Sequence, residues 1–301
     1  MKAPPFEYVR AASLDEACAL LVEGADETKL IAGGQSLVPM LAMRLTRPSR
    51  LVDINEIAAL KQITIDGGAA RTGACARQAV VARDDRLYER VPLLRRTLAW
   101  VGHTQTRNRG TIGGSLAHAD PAAELPLTAQ VLEARLHIRS ARRQRVSSAA
   151  DFFVGPLTTA LEADECLHEI EWPVWAERRS GCAFTEVSRR HGDFAMIAAC
   201  AQVALGEDGR CTRAAFGLAG GATTAIAFPA LAARLVGTKL EDGVVRDVCQ
   251  DAAAELDPAG DLHASAAYRK HLATVLAARV LREAYTEAYA MAGAGSRPSP
   301  R

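Results

Sequence analysis

The pattern of apolar and polar positions near the start of the chain predicts alternating helices and short strands. Ser13 is followed three residues later by Glu16, which is a capping box, and Leu20 and Leu21 continue with helical spacing, so an amphipathic helix begins here. The next three segments are predicted to be a buried strand ending on two glycines, a helix, and a strand over residues 51–54: TKLIAGG, LVPMLAMRL and RLVDI. The chain therefore opens with a unit of strand, double glycine, helix and strand.

The middle of the chain alternates between charged helical stretches and strands. ARDDRLYERVPLLRRTLAWVG is predicted to be helical, with Pro92 suited to a first helical turn and Gly102 near an end. Asp120 and Pro121 are predicted to be the N-cap and first residue of a helix over PAAELPLTAQVLEA. RLHIRS and RRQRVSS predict paired strands with basic residues on a solvated edge or a partner-facing patch, and HEIEWPVW predicts a strand that Pro173 ends.

A domain boundary is predicted near Arg178, in WAERRSGC. Beyond it three strands are predicted, with GEDG as the turn between the second and the third, and helices follow to about residue 290. The Gly-, Pro- and Ser-rich segment 291–301 is predicted to be a disordered tail.

Composition narrows the class of protein. Of the 301 residues, 49% are apolar and 24% are charged, which is ordinary for a globular protein, and the formal net charge of +1 gives no reason to expect nucleic acid or an anionic membrane as partner. No apolar run approaches the ~20 residues of a membrane span, and the start of the chain lacks the apolar stretch of a secretory signal. A cytoplasmic protein is therefore expected.

The cysteines are scattered rather than clustered: Cys18, Cys75, Cys166, Cys182, Cys200, Cys211 and Cys249. An odd number with no CxxC pair argues for reduced thiols, most of them buried, and against an iron–sulfur cluster or a structural zinc site in this chain. His103 and His118 each lack a second histidine at i+4 or a nearby thiolate, so polar structural roles are expected for both.

Two double glycines, in IAGGQSL and TIGGSLAHADPAAELP, are the strongest indication of a binding site. A Gly-Gly pair after a strand reaches backbone angles that other residues avoid, and it exposes N–H groups suited to phosphate. The hydroxyls of Ser36, Thr111 and Ser115 could add donors. Each pair alone could be an ordinary tight turn, but two together could hold both phosphates of a pyrophosphate. Neither fits GxGxxG or a P-loop, so a dinucleotide would bind on another fold.

Four segments, in this order, resemble the FAD-binding medium subunit of molybdenum hydroxylases, which include carbon monoxide and xanthine dehydrogenases: AGGQSLVPMLAMRL, TRNRGTIGGSLAHADPAAELP, SRRHGDFAMIA and SAAYRKHLATVLAARVL. The resemblance spans about residues 1–290. It implies an α+β fold with a vanillyl-alcohol-oxidase-type FAD-binding domain over residues 1–177, made of two α/β subdomains at about 1–56 and 57–177. A C-terminal flavoprotein domain of a three-stranded antiparallel sheet and helices would cover 178–290.

The resemblance also implies which residues bind FAD. The pyrophosphate would lie against the first loop, flanked by Lys29 and Leu37, and against the second loop. Asp120 and Glu124 could accept hydrogen bonds from ribose or adenine, although Asp120 could be only an N-cap and Asp193 only a turn cap. Ser115 departs from the Asn or Asp of many relatives, and Phe194 from their Tyr. The full set is Lys29, Ala32, Gly33, Gly34, Gln35, Ser36, Leu37, Val101, Thr111, Gly113, Gly114, Ser115, Ala117, Asp120, Glu124, Leu161, Asp193 and Phe194.

By the same resemblance, Val101 would lie near the adenine end, Ala117 against the cofactor, Leu161 near the flavin ring, and Asp193 with Phe194 over the isoalloxazine. The implied function is an electron-transfer subunit without catalytic or metal-binding residues of its own. It would accept electrons from iron–sulfur clusters on a small subunit, with molybdopterin on a large subunit, in a dimer of heterotrimers. The alternatives are a self-sufficient FAD oxidase of the same fold and a non-catalytic scaffold. The substrate and the external electron acceptor stay open.

Overall fold

The computed structural model describes residues 2–24 and 27–294. The strands are β1 (Glu7–Arg10), β2 (Thr28–Ile31), β3 (Arg50–Asp53), β4 (Ile63–Asp66), β5 (Ala69–Gly73), β6 (Arg135–Arg139), β7 (Gln144–Ser148), β8 (Phe153–Gly155), β9 (Thr158–Thr159), β10 (Cys166–Pro173), β11 (Ser180–Val187), β12 (Ile197–Leu205), β13 (Cys211–Ala219) and β14 (Ile226–Ala227).

The α-helices are α1 (Leu14–Gly24), α2 (Leu37–Ala42), α3 (Gln78–Val81), α4 (Asp85–Arg90), α5 (Pro92–Leu98), α6 (Thr104–Arg109), α7 (Ile112–His118), α8 (Glu124–Val131), α9 (Ala149–Phe152), α10 (Pro229–Ala233), α11 (Asp242–Ala254) and α12 (Ala266–Ala294). A short 3-10 helix, Ala58–Lys61, follows β3.

The chain forms two compact units that are not contiguous in sequence. The first comprises the residues up to Leu87 together with Gly102–Asp120 and Glu133–Pro173. The second comprises Tyr88–Val101, Pro121–Leu132 and the chain from Val174 onward. Two segments that precede the boundary predicted near residue 178, those carrying α5 and α8, therefore belong to the second unit.

The first unit contains a parallel and an antiparallel sheet. The parallel sheet has the order β1-β3-β2, and α1 buries Ala17, Cys18 and Leu21 in the same apolar cluster as Val52 of β3. The antiparallel sheet has the order β4-β5-β10-β6-β7. Its central strand β10 pairs with β5 and β6, and the indole N–H of the fully buried Trp172 donates to Thr72 at 3.0 Å.

The second unit is built on one antiparallel sheet with the order β11-β12-β13-β14. Helices α11 and α12 share an apolar cluster with one face of the sheet, while α5 and α8 lie against β11, β12 and β13. Every residue of β12 is buried. The sequence of β12, IAACAQVAL, is accordingly apolar almost throughout instead of alternating, as expected for a strand covered on both faces.

Most of the helices and strands predicted from the sequence are present in the structure. The capping box of α1 also forms, since the Glu16 N–H donates to the Ser13 hydroxyl at 3.1 Å. The helix predicted to start at Pro121 is wrong, because α8 begins at Glu124 with Ala123 as N-cap. Pro126 explains the shift. In the observed helix its missing N–H falls in the first turn, where no intrahelical bond is lost, whereas a start at Pro121 would place it in the interior.

The predicted tail, 291–301, overlaps the last turn of α12, which continues to Ala294. The remainder of that segment, 295–301, lies outside the described residues. No helix in the described ranges has the length and apolarity required to cross a membrane. A fourth, two-residue strand, β14, adds to the three predicted in the C-terminal sheet.

All seven cysteines are buried, free thiols, as predicted. Burial raises the pKa of every one, to about 12 for Cys75, Cys182 and Cys249 and to about 11 for Cys211. Within 2–24 and 27–294, no group of three or more His, Cys, Asp or Glu side chains is arranged to hold a metal ion.

A thiol reagent should therefore react slowly with the native chain at pH 8, because neither exposure nor a thiolate is available. In denaturant the same reagent should titrate seven thiols. Fast reaction of even one equivalent with the native protein, followed by absorbance, would contradict this prediction.

Candidate functional site

The first glycine loop joins β2 to α2 and presents a run of backbone N–H groups. Among the described residues, none of the N–H groups from Ala32 to Leu37 donates to another protein group, and the bonds of this turn begin with Val38 N–H to Gly34 O at 3.0 Å. Gly34 has φ +71°, a left-handed conformation that favours glycine. A consecutive run of unpaired N–H groups forms a concave site with partial positive charge, suited to an anion.

The second glycine loop has a different hydrogen-bonding pattern. Thr111 caps α7 and accepts the Gly114 N–H on Oγ1 at 3.0 Å. The N–H groups of Ile112 and Gly113 donate to Ala76 O and Ala74 O at 3.0 and 2.9 Å. These amides are therefore used within the protein, and this loop offers an exposed glycine surface at Gly114 instead of free donors.

The two glycine loops lie side by side in the first unit. A Cβ on Gly33 would be 2.4 Å from Arg109 O and 2.8 Å from the Cα of Gly110, directly ahead of the second loop. A Cβ on Gly114 would be 3.9 Å from the Cβ of Ala32. The four glycines therefore have different roles: Gly33 and Gly113 permit close packing and Gly34 supplies a left-handed turn, while Gly114 is exposed and a Cβ on it would be 2.7 Å from the Thr111 hydroxyl.

The other site residues predicted in the first unit are distributed around these loops. Lys29 is exposed on β2, Gln35 donates through Nε2 to Gly33 O at 3.2 Å, and Ser36 caps α2 without a side-chain hydrogen bond. Leu37, Ser115, Ala117 and Asp120 follow the loops along the chain, in or next to α2 and α7. Leu161 follows β9 and is half-buried.

Four predicted site residues belong to the second unit. Val101 is buried, and Glu124 is the first residue of α8. Asp193 and Phe194 lie in the connection between β11 and β12, where Phe194 is 74% exposed. The Asp193 N–H donates to Arg190 O at 3.0 Å, within the turn that connects β11 to β12.

Glu186 on β11 is an ionisable group that sequence reasoning missed. It is 6% exposed, and neither of its carboxylate oxygens has a hydrogen-bond partner among the described residues. Burial raises its pKa to about 8, with a further contribution from the charge of Glu124. In CAFTEV Glu186 is the single charged residue, and that is the signal that could have found it.

Trp100 and Phe184 form an aromatic pair in the same unit. Their ring centroids are 6.3 Å apart, and Trp100 also makes an edge contact of 5.9 Å with His191. Phe184 lies two residues before Glu186 on β11, so both side chains point to the same face of the strand. A buried carboxyl and an aromatic pair therefore share one face of this sheet.

The fold and these loops define an FAD-binding subunit of a molybdenum-containing dehydrogenase. Residues 4–175 match the model of the FAD binding domain in molybdopterin dehydrogenase, and residues 182–284 match the CO dehydrogenase flavoprotein C-terminal domain. The chain belongs to this family, and it is accordingly an oxidoreductase subunit with FAD as its cofactor.

Individual relatives are similar over nearly the whole chain. Subunit alpha of the 6-hydroxypseudooxynicotine dehydrogenase complex from Paenarthrobacter nicotinovorans is 39% identical, covering 94% of this chain and 96% of that protein. A chain of quinoline 2-oxidoreductase from Pseudomonas putida 86 has a TM-score of 0.90 at 37% identity, covering 96% and 99% of the two chains. A carbon monoxide dehydrogenase chain from Hydrogenophaga pseudoflava has a TM-score of 0.92 at 32% identity, covering 95% and 99%.

The residues present fit FAD. The unpaired N–H groups of the first loop match the negative charge of a pyrophosphate, and the main chain at the exposed Gly114 is accessible to a ligand. The fold class that the resemblance implied, a mixed FAD-binding domain of helices and strands followed by a C-terminal domain with an antiparallel sheet, is confirmed and agrees with this fit.

Proposed function

We propose that this chain holds FAD as the electron-transfer subunit of a molybdenum hydroxylase, accepting electrons from iron–sulfur clusters of a partner and passing them to an external acceptor. The observation that carries the proposal is the run of unpaired N–H groups from Ala32 to Leu37 beside the exposed Gly114, within a chain of the FAD-binding family. When bound, FAD would supply a carrier that can take electrons one at a time from iron–sulfur clusters and hold two of them for the external acceptor.

The residues of the chain bind, orient and shield the cofactor. The first-loop amides hold the phosphate charge, with Lys29 adding positive charge and Ser36 a hydroxyl donor. Asp120 and Glu124 would accept hydrogen bonds from ribose or adenine, and Val101 would pack near the adenine end. Leu161 would approach the flavin ring, and Asp193 with Phe194 would cover it. A phenylalanine can stack on the ring but cannot donate a hydrogen bond to it.

The partners are proposed from the relatives. These include subunits of dehydrogenase complexes and medium chains of carbon monoxide dehydrogenases, as their names state. A small subunit with iron–sulfur clusters and a large subunit with molybdopterin would complete the complex as a dimer of heterotrimers in the cytoplasm. The scattered, buried cysteines of this chain support placing the clusters on another chain.

The test is to purify the chain alone and together with the products of neighbouring genes, and to measure flavin, iron and molybdenum. The chain alone should take up FAD at one equivalent and show a flavin absorption spectrum without iron. The complex should contain all three, and its substrate should reduce the flavin only when the partner chains are present. Failure to bind added FAD would overturn the cofactor assignment, and substrate turnover by the chain alone would favour a self-sufficient oxidase.

A further inference from the structure

Asn55 contacts the first glycine loop through its side chain. Its Nδ2 donates to Ala32 O at 2.6 Å and to Asp53 Oδ1 at 2.6 Å, and its backbone N–H donates to the same Asp53 oxygen at 2.8 Å. The hydroxyl of Tyr8 donates to the other oxygen of Asp53. The amide of Asn55 is therefore fixed in one orientation by groups from β1 and β3, and it holds the carbonyl of Ala32.

Arg77 connects Asn55 to the second loop. One guanidinium nitrogen donates to Asn55 Oδ1 at 2.7 Å, and another donates to the carbonyl of Arg109. The main chain of the same segment is also joined to this loop, because the Gln78 N–H donates to Gly110 O at 3.0 Å. A continuous set of hydrogen bonds thus runs from Ala32 O through Asn55 and Arg77 to Arg109 O.

We propose that Asn55 and Arg77 are positioning residues of the FAD site, tying the two glycine loops into the arrangement that receives the pyrophosphate. Holding the Ala32 carbonyl away from the ligand fixes the next peptide, so the N–H groups that follow stay directed outward. The planar guanidinium suits this task because its donors reach two acceptors at a fixed angle, whereas an ammonium group reaches them as a point charge. The proposal rests on the proposed function.

The experiment measures FAD affinity of the full chain by flavin fluorescence titration, at a temperature where circular dichroism shows each variant to be folded. Asn55→Ala and Arg77→Met should each raise the Kd for FAD at least about tenfold, since each removes two of the hydrogen bonds that connect Ala32 O to Arg109 O. Asn55→Asp keeps the acceptor for Arg77 but loses the donor to Ala32, so its Kd should also rise. Arg77→Lys, which can satisfy one acceptor, should recover part of the affinity lost in Arg77→Met.

Arg179→Met provides a matched control, because Arg179 donates to two backbone carbonyls, Gly206 O and Glu207 O at 3.2 and 3.1 Å, within the second unit. It should lower the thermal midpoint without changing the Kd for FAD. Unchanged affinity in Asn55→Ala and Arg77→Met, or an equal loss in Arg179→Met, overturns the positioning role. A wild-type chain that binds no FAD instead overturns the proposed function, and the two failures are distinguished in one titration series.

Discussion

Replacement of Gly33 by alanine is expected to weaken the binding of FAD by the purified chain. The added methyl group would lie 2.4 Å from Arg109 O and 2.8 Å from the Cα of Gly110, both of them backbone atoms. Such overpacking costs about 1–3 kcal/mol, and because both neighbours are backbone atoms, the methyl group pushes the two loops apart. Affinity for FAD should then fall by about tenfold to more than a hundredfold. The measurement is flavin content after gel filtration, with the Kd by titration.

Gly68→Ala is the matched control for Gly33→Ala. Gly68 lies in the same unit, in the turn between β4 and β5, and a Cβ there would have no atom within 4 Å. It should leave flavin content and the thermal midpoint unchanged. The prediction fails if Gly33→Ala retains FAD as wild type does, because the close approach of the loops would then not matter for binding.

The sequence predicted the elements whose burial follows a simple period. The helices α1, α5 and α12 and the strands β6, β10, β11, β12 and β13 were predictable because apolar residues recur at helical or strand spacing. Strand β1 was not, since most of its four residues are exposed and it is stabilised by backbone pairing with β3. The start of α8 was mispredicted because Asp-Pro is a strong local signal, while Pro126 acts five residues later.

The candidate site was predictable in its backbone and not in its side-chain connections. Two double glycines indicate turns with unusual backbone angles, and the resemblance to a known family assigned both turns to FAD. The sequence could not show that Gly33 is needed for packing on Arg109, nor that only the first loop keeps its N–H groups free. Asn55 and Arg77 belong to no local motif. Their contact with the loops is visible only when distant segments are brought together by the fold.

The free energy of unfolding should depend on pH through the titration of Glu186, and Glu186→Gln should remove that dependence. The pKa of Glu186 is raised to about 8 by burial and by Glu124, against an ordinary value of about 4.5, so the folded chain binds more protons than the unfolded chain between these pH values. The free energy of unfolding therefore falls as pH rises through this window and levels above about pH 8. Glu186→Gln, which stays neutral, should gain stability relative to wild type by at least about 1 kcal/mol between pH 5 and pH 8.5, the equivalent of one unit of pKa shift.

Glu165→Gln should change the stability of the protein in the opposite direction from Glu186→Gln. Burial opposes ionisation of Glu165, but hydrogen bonds from Arg145 and Arg143 outweigh it and lower its pKa. The stabilisation by this carboxylate is complete above its unfolded pKa and is lost as the pH falls through the lowered value. Glu165→Gln should therefore be most destabilising at neutral and higher pH, where Glu186→Gln is most stabilising. Urea unfolding of both variants at pH 5 and pH 8.5 measures the difference, and parallel pH dependence in Glu186→Gln and wild type would show that Glu186 is ionised in the folded chain like an exposed glutamate.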